Sequence, residues 1–199
     1  MTHVIAVAGS PREGANTDRL LDAFLDGVRE AGASVERVTI READVGPCRD
    51  CGPCEIAGSC VIADDHPALA VRVLEADIFV LASPVYYCGF PGMTKNFIDR
   101  FQPYWYGRYK KNLPPRTGPD GYFLSVGAAP SLKNFDGMRV TFKYLMRSVW
   151  GEPCGELVVP ATEERGAVAA DTASLEQARR LGYEAVMQRQ RASDEAPGR

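Results

Sequence analysis

The stretch Val4-Ile5-Ala6-Val7-Ala8-Gly9-Ser10-Pro11-Arg12-Glu13-Gly14-Ala15-Asn16-Thr17 decides the fold. It begins as a short, β-branched apolar run that stops at Gly9, the pattern of a strand buried on both faces. It then passes through a loop into Asn16–Ala31, where Leu20, Leu21, Phe24, Leu25 and Val28 recur at helical spacing and Gly32 supplies the C-terminal cap. A strand that feeds a helix in this way leaves unpaired amides and the positive end of the helix dipole at the strand's carboxyl end, which suits a phosphate. Ser10, Asn16 and Thr17 add side-chain hydrogen bonds, Arg12 adds a charge-assisted one, and Gly14 permits close backbone approach. The loop has neither GxGxxG spacing nor a GK[ST] ending, so a terminal monophosphate fits it better than a pyrophosphate. The competing reading is a plain strand-turn-helix with Asn16 or Thr17 as its cap.

The pattern repeats outward from this unit. Val35–Ile40 alternates weakly and predicts a second strand, and Asp64-Asp65 ahead of Pro67 marks a helix start. Ala76–Ala82 (ADIFVLA) is the strongest buried strand; it ends at Ser83-Pro84, and a helix follows from about Thr94 to Phe101. Gln102–Asp120, with its aromatics and Pro103, Pro114, Pro115 and Pro119, reads as an irregular excursion. Gly121–Val126 is a strand ending at Gly127, Phe135–Trp150 a helix, Glu156–Val159 a last short strand and Ala173–Arg189 a final amphipathic helix, with a polar, frayed tail over Arg191–Arg199. Strands alternating with helices, with no linker and no repeat, predict one α/β domain over residues 1–190: a doubly wound, five-stranded parallel sheet with helices on both faces. Such sheets bind ligands beyond the carboxyl ends of their strands, near the switch point. Three strand ends are candidates: Gly9-Ser10-Pro11 for phosphate, and Ser83-Pro84-Val85 and Val126-Gly127-Ala128 to flank a ring.

Composition narrows the class. With 45% apolar and 25% charged residues among 199, the chain is an ordinary globular one. A net charge of -3 gives no reason to expect a nucleic-acid partner, and no apolar run approaches the ~20 residues that cross a bilayer. The N-terminus enters MTHVIAVAGS without a charged region and a long apolar stretch behind it, so a cytoplasmic location is expected.

In a reducing compartment six cysteines are the anomaly, and four of them form Cys48-x2-Cys51-x2-Cys54-x5-Cys60 in a loop over residues 46–63 broken by Gly46, Pro47, Gly52, Pro53 and Gly58. Gaps of two residues let neighbouring thiolates converge on one metal core, as in ferredoxin-type loops. A single tetrahedral zinc, a dithiol couple and chemically inert thiols are the alternatives. Cys88 and Cys154 read as buried apolar thiols. His3 and His66 are too isolated to suggest a base or a metal ligand, and no Ser/His/Asp constellation occurs, so no catalytic side chain is assigned. The aromatic and cationic run Gln102–Lys111 is expected to be a lid or subunit contact.

The segments GSPREGANT (9–17), DDHPAL (64–69), ASPVYYCGFPGMTKNFIDR (82–100) and EERGAV (163–168) resemble the flavodoxin-like flavoproteins, and most closely the NADPH-dependent FMN reductase and iron-sulfur flavoprotein group. The resemblance covers about residues 3–185 and implies a flavodoxin-like fold, noncovalent FMN and a homodimer or homotetramer. By position, it implies that Ser10, Arg12, Asn16 and Thr17 hold the FMN phosphate, that Pro84, Val85, Tyr86 and Tyr87 line the isoalloxazine, and that Gly127 and its neighbours approach the ring's other polar edge. It also implies that Cys48, Cys51, Cys54 and Cys60 ligate one [4Fe-4S] cluster. The expected function is then an FMN-dependent oxidoreductase that couples the cluster to FMN. Ferredoxin or NAD(P)H would be the electron donor, and a small molecule or a protein the acceptor. A cluster-free NAD(P)H-dependent FMN or quinone reductase and a zinc-bearing flavin-binding redox sensor are the rival expectations.

Overall fold

The computed structural model describes residues 1–114 and 116–195. Five strands, β1 (His3–Ala8), β2 (Ser34–Thr39), β3 (Ile78–Pro84), β4 (Asp120–Val126) and β5 (Glu152–Val159), form one sheet in the order β2-β1-β3-β4-β5. Every pairing is parallel. The chain leaves β1 for β2 on one side and returns to β3 on the other, so the sheet order reverses between β1 and β3. This is the doubly wound, flavodoxin-like order, and its ligand crevice is expected at that reversal.

The apolar runs that announced the central strands are continuous because both faces are covered. Ile5 and Val7 of β1, with Phe79 and Leu81 of β3, enter one core. Val4, Ala6 and Ala8, with Ile78, Val80 and Ala82, enter the other. The first core takes side chains from α3 (His66–Glu75), α4 (Gly92–Asp99) and α6 (Asp136–Ser148). The second takes them from α1 (Asn16–Glu30) and α7 (Thr172–Asp194). Helices α1 and α7 cross at two glycines: a Cβ on Gly27 would stand 1.9 Å from the Arg179 carbonyl oxygen, and one on Gly182 2.0 Å from that of Phe24.

Several boundaries differ from expectation for local reasons. Pro53 at a first helical turn, with Gly52 and Gly58 at φ 89° and 73°, lets a one-turn helix, α2 (Pro53–Ala57), form inside the cysteine loop. Gln102–Tyr109 is a helix, α5, rather than irregular chain: Pro103 occupies its first turn, where a missing N–H is harmless. Pro115 of that segment lies outside the described residues. Strand β5 begins at Glu152, with a register shift against β4 at Gly121/Tyr122, and α7 runs on through Asp194. The remaining tail, 196–199, lies outside the described residues.

Cys88 and Cys154 are both exposed, contrary to the buried reading. Cys88 stands on a tight turn at φ 59°, and Cys154 lies on β5, an edge strand without a partner on its far side. No helix among the described residues is long and apolar enough to cross a membrane.

Candidate functional site

The loops leaving β1, β3, β4 and β5 enclose an open cleft of about 130 Å³ at the reversal of strand order. Ser10, Arg12, Asn16 and Thr17 line it from the first loop, and Pro84, Val85, Tyr86 and Gly127 from the next two strand ends. The ladder of the sheet continues one step past the strands to fix these loops. Gly9 N–H donates to the Ala82 carbonyl (2.7 Å), Val85 N–H to that of Val126 (3.2 Å) and Gly127 N–H to that of Val159 (2.9 Å). Gly9 must be glycine-sized: a Cβ there would lie 2.7 Å from Thr94 Oγ1, whose hydroxyl donates to the Gly9 carbonyl at 2.6 Å.

Helix α1 presents its amino end to the cleft. Ala15 N–H donates to the Asp18 carboxylate (3.2 Å) and Asp18 N–H to the Ala15 carbonyl (2.9 Å), a reciprocal cap that leaves the first turn open above it. Burial raises the pKa of Asp18, opposed by the Ala15 amide and by Arg37 and Arg41. Among the described residues no acceptor meets the backbone N–H of Ser10, Asn16 or Thr17. Thr17 is 2% exposed, and its hydroxyl has no hydrogen-bond partner among the described residues. Ser10 is buried and its oxygen accepts from Arg12 N–H at 3.1 Å. Arg12 is exposed at the rim.

Three expected residues behave differently from the rest. Asn16 lines the cleft, yet its amide donates to the Glu164 carbonyl (2.8 Å) and its oxygen accepts from Val168 N–H (3.3 Å), so the side chain ties α1 to the segment after β5. Gly127 uses its own N–H on Val159 and its carbonyl on Thr162 N–H (2.9 Å). Tyr87 does not line the cleft. Tyr86 and Gly89 exchange two 2.9 Å backbone bonds around Tyr87 and Cys88, both at positive φ (49° and 59°), and this tight turn leaves Tyr87 fully exposed. Thr162 and Glu163 also line the cleft and were missed as site residues; they fall in and beside the EERGAV segment, whose spacing carried no chemical signal of its own.

The four clustered cysteines, together with Arg100 and Tyr106, line a second, narrow cavity of about 20 Å³. All four are free thiols. Burial raises the pKa of Cys54, and the neighbouring Cys60, Cys48 and Cys51 add to the effect. Among the described residues no three His, Cys, Asp or Glu side chains converge as they would on a metal ion. Helix α5 clasps the loop: Tyr106 Oη donates to Glu55 (2.6 Å) and Lys111 Nζ to the Ile56 carbonyl (2.7 Å). His66 is a core residue, its Nε2–H donating to the Phe97 carbonyl at 2.9 Å. Burial, then the Arg100 charge, lowers its pKa to about 4.

A flavodoxin-like sheet with a phosphate-suited loop at its switch point defines a mononucleotide-binding α/β class. The sequence model of the NADPH-dependent FMN reductase family matches residues 2–131, and the chain belongs to that family. It is 41% identical over 100 residues to an iron-sulfur flavoprotein of Archaeoglobus fulgidus, covering 50% of this chain and 46% of the relative. It is 34% identical over 109 residues to the iron-sulfur flavoprotein MJ1083 of Methanocaldococcus jannaschii, covering 55% and 56%. The chain thus matches about half the length of these relatives. Among solved structures it resembles a flavone reductase with a TM-score of 0.70, at 20% identity over 96% of this chain and 64% of that one.

Proposed function

We propose that this chain is an FMN-dependent oxidoreductase that couples FMN to a [4Fe-4S] cluster held by Cys48, Cys51, Cys54 and Cys60. The observation that carries the FMN half is the end of the first strand-to-helix loop: Ser10, Arg12 and Thr17 line the cleft, and among the described residues the buried Thr17 hydroxyl and the amides of Ser10, Asn16 and Thr17 have no hydrogen-bond partner. A buried polar group left unsatisfied costs about 1–3 kcal/mol, and a phosphate at this helix end would recover that cost. The Thr17 and Ser10 hydroxyls and the free amides would hold the FMN phosphate, and Arg12 at the rim would pair with its charge. Asn16 supports the loop indirectly, through its ties to residues 164 and 168. Pro84, Val85 and Tyr86 form the wall against which the flavin ring lies. Gly127 keeps that wall open, since a Cβ there would press on Phe135 at 3.1 Å and Val85 at 3.2 Å. No side chain acts as a nucleophile; the chain binds, orients and desolvates.

All four thiols line one cavity, and the two-residue gaps between Cys48, Cys51 and Cys54 are those of ferredoxin-type loops, which favours an iron-sulfur core over a single zinc. When bound, FMN exchanges one or two electrons and the cluster one, so the pair links ferredoxin or NAD(P)H as donor to a small-molecule or protein acceptor. A homodimer or homotetramer brings the two centres together. Anaerobic purification followed by Fe, sulfide, Zn and FMN assays is the test, with four Fe and one FMN per chain expected. FMN without metal would leave the cluster-free reductase standing, and stoichiometric zinc the redox sensor.

A further inference from the structure

We propose that Arg100 is the positioning residue of the cysteine loop, closing its two ends and presenting a positive pole to the thiol-lined cavity that sets the potential of the group bound there. The inference rests on the reading of that cavity as an iron-sulfur site.

Arg100 is the largest side chain in the fold with essentially no exposure, which is unusual for a group that carries a permanent charge. Its guanidinium grips Asp64 as a fork, Nη1 to Oδ2 at 2.5 Å and Nη2 to Oδ1 at 2.9 Å. Nη1 also donates to the Gly46 carbonyl (3.0 Å), at one end of the loop, and Nη2 to that of Ile62 (3.4 Å), at the other. Asp64 in turn accepts from Gly46 N–H (3.0 Å) and His66 N–H (3.1 Å). One ion pair therefore joins both ends of the segment that carries all four clustered cysteines to helix α4.

Its orientation gives it a second role. Arg100 lines the cysteine cavity and Asp64 does not, so the pair's positive end faces the thiols. The remaining donor, Nε, is buried and has no acceptor among the described residues. Four thiolates make any bound core electron-rich, and reduction adds one more negative charge. A positive pole at the wall favours the reduced state, and an N–H donor toward sulfur acts in the same direction.

The test compares the holoprotein with Arg100→Gln, Arg100→Lys and Asp64→Asn. The readouts are iron per chain, FMN per chain, and the cluster midpoint potential in a mediated dithionite titration. Arg100→Gln should keep FMN and shift the midpoint to more negative values, and Arg100→Lys should restore much of that shift. Asp64→Asn should shift it the opposite way, because it removes the counter-charge; this outcome stands even if Arg100→Gln does not fold. Loosening of the loop alone would not give shifts of opposite sign. Limited proteolysis of the metal-free chain should cut within residues 46–62 several-fold faster in Arg100→Gln. Unchanged midpoints, or shifts of one sign in both neutralising variants, would overturn the role of Arg100 while the cluster reading stood. A wild-type chain without iron would overturn both.

Discussion

The cleft and the cysteine cavity are built in opposite ways. The cleft is made by backbone: the sheet's ladder continues past the strands through Gly9, Val85 and Gly127, and a reciprocal cap at Ala15 and Asp18 fixes the start of α1. The cysteine cavity is made by side chains. Its loop crosses open space with exposed Cys48 and Cys51, and is held by the Arg100–Asp64 fork, the Tyr106–Glu55 contact and Lys111. A site framed by a sheet stands ready without its ligand, because strand pairing already fixes its atoms. A site framed by a loop needs its ligand to gather the donors. For the proposed cluster, the convergence absent among the described thiols would come with binding, since metal binding and local folding are one equilibrium.

The largest expected effect separates the two regions outright. Cys51→Ala should remove essentially all cluster iron while FMN stays at the wild-type ratio, read by metal assay and flavin absorbance on one anaerobic preparation. Iron retained at the wild-type level would dismiss the ligand set. The next effect tests the foundation that the cysteine loop leans on. His66, beside Arg100, has its folded pKa lowered to about 4 from 6.5. The unfolded chain takes up that proton first, so stability is whole above pH 6.5 and falls as pH drops toward 4. The loss is about 3 kcal/mol at 1.36 kcal/mol per unit. Denaturant unfolding at pH 7 and pH 4 measures it, and in His66→Phe the part of the acid loss owed to this residue should disappear.

How far the sequence was legible follows the same division. The strands of the central sheet were legible because a parallel strand buried on both faces is a continuous apolar run, and Val4–Ala8 and Ile78–Ala82 are such runs. The first strand-to-helix loop was legible because helix-start chemistry is local: Ser10, Arg12 and Thr17, singled out within eight positions of one another, all line the cleft. Tyr87 falls outside the cleft lining because its direction depends on two positive φ values at non-glycine residues, which spacing does not announce. Arg100 was passed over because its partners, Gly46, Ile62 and Asp64, are 36 to 54 positions away in the chain. Helix α5 was missed because proline was read as a breaker, although Pro103 sits where a helix tolerates it.

A third substitution attacks the cleft and spares the loop. Gly9→Ala places a methyl group against Thr94, which is fully buried and committed to the Gly9 carbonyl, and 3.1 Å from the Ala82 carbonyl oxygen. Neither neighbour yields without breaking a buried hydrogen bond. The cost should be about 1–3 kcal/mol of stability, as for other overpacked sites, with weaker FMN binding and unchanged iron. It is the mirror image of Cys51→Ala, and equal loss of both cofactors in either variant would mean that the two regions are a single unit.

The smallest effect is the most specific, because its sign differs between the two states of the protein. In a merely structural turn, Thr17 would use its hydroxyl within the fold, and Thr17→Val would destabilise the chain with or without FMN. The hydroxyl instead has no partner among the described residues. Replacing it with a methyl group should therefore stabilise the FMN-free protein by about 1 kcal/mol, the desolvation cost of a buried hydroxyl being removed. The same change deletes a hydrogen bond to the phosphate and should weaken FMN by about 1–2 kcal/mol, a fall in affinity of about five- to thirty-fold. Thermal unfolding of the apoprotein and flavin fluorescence titration read the two halves separately. Opposite signs mark a group kept unsatisfied for a ligand, whereas a loss in both would return Thr17 to the role of an ordinary helix cap.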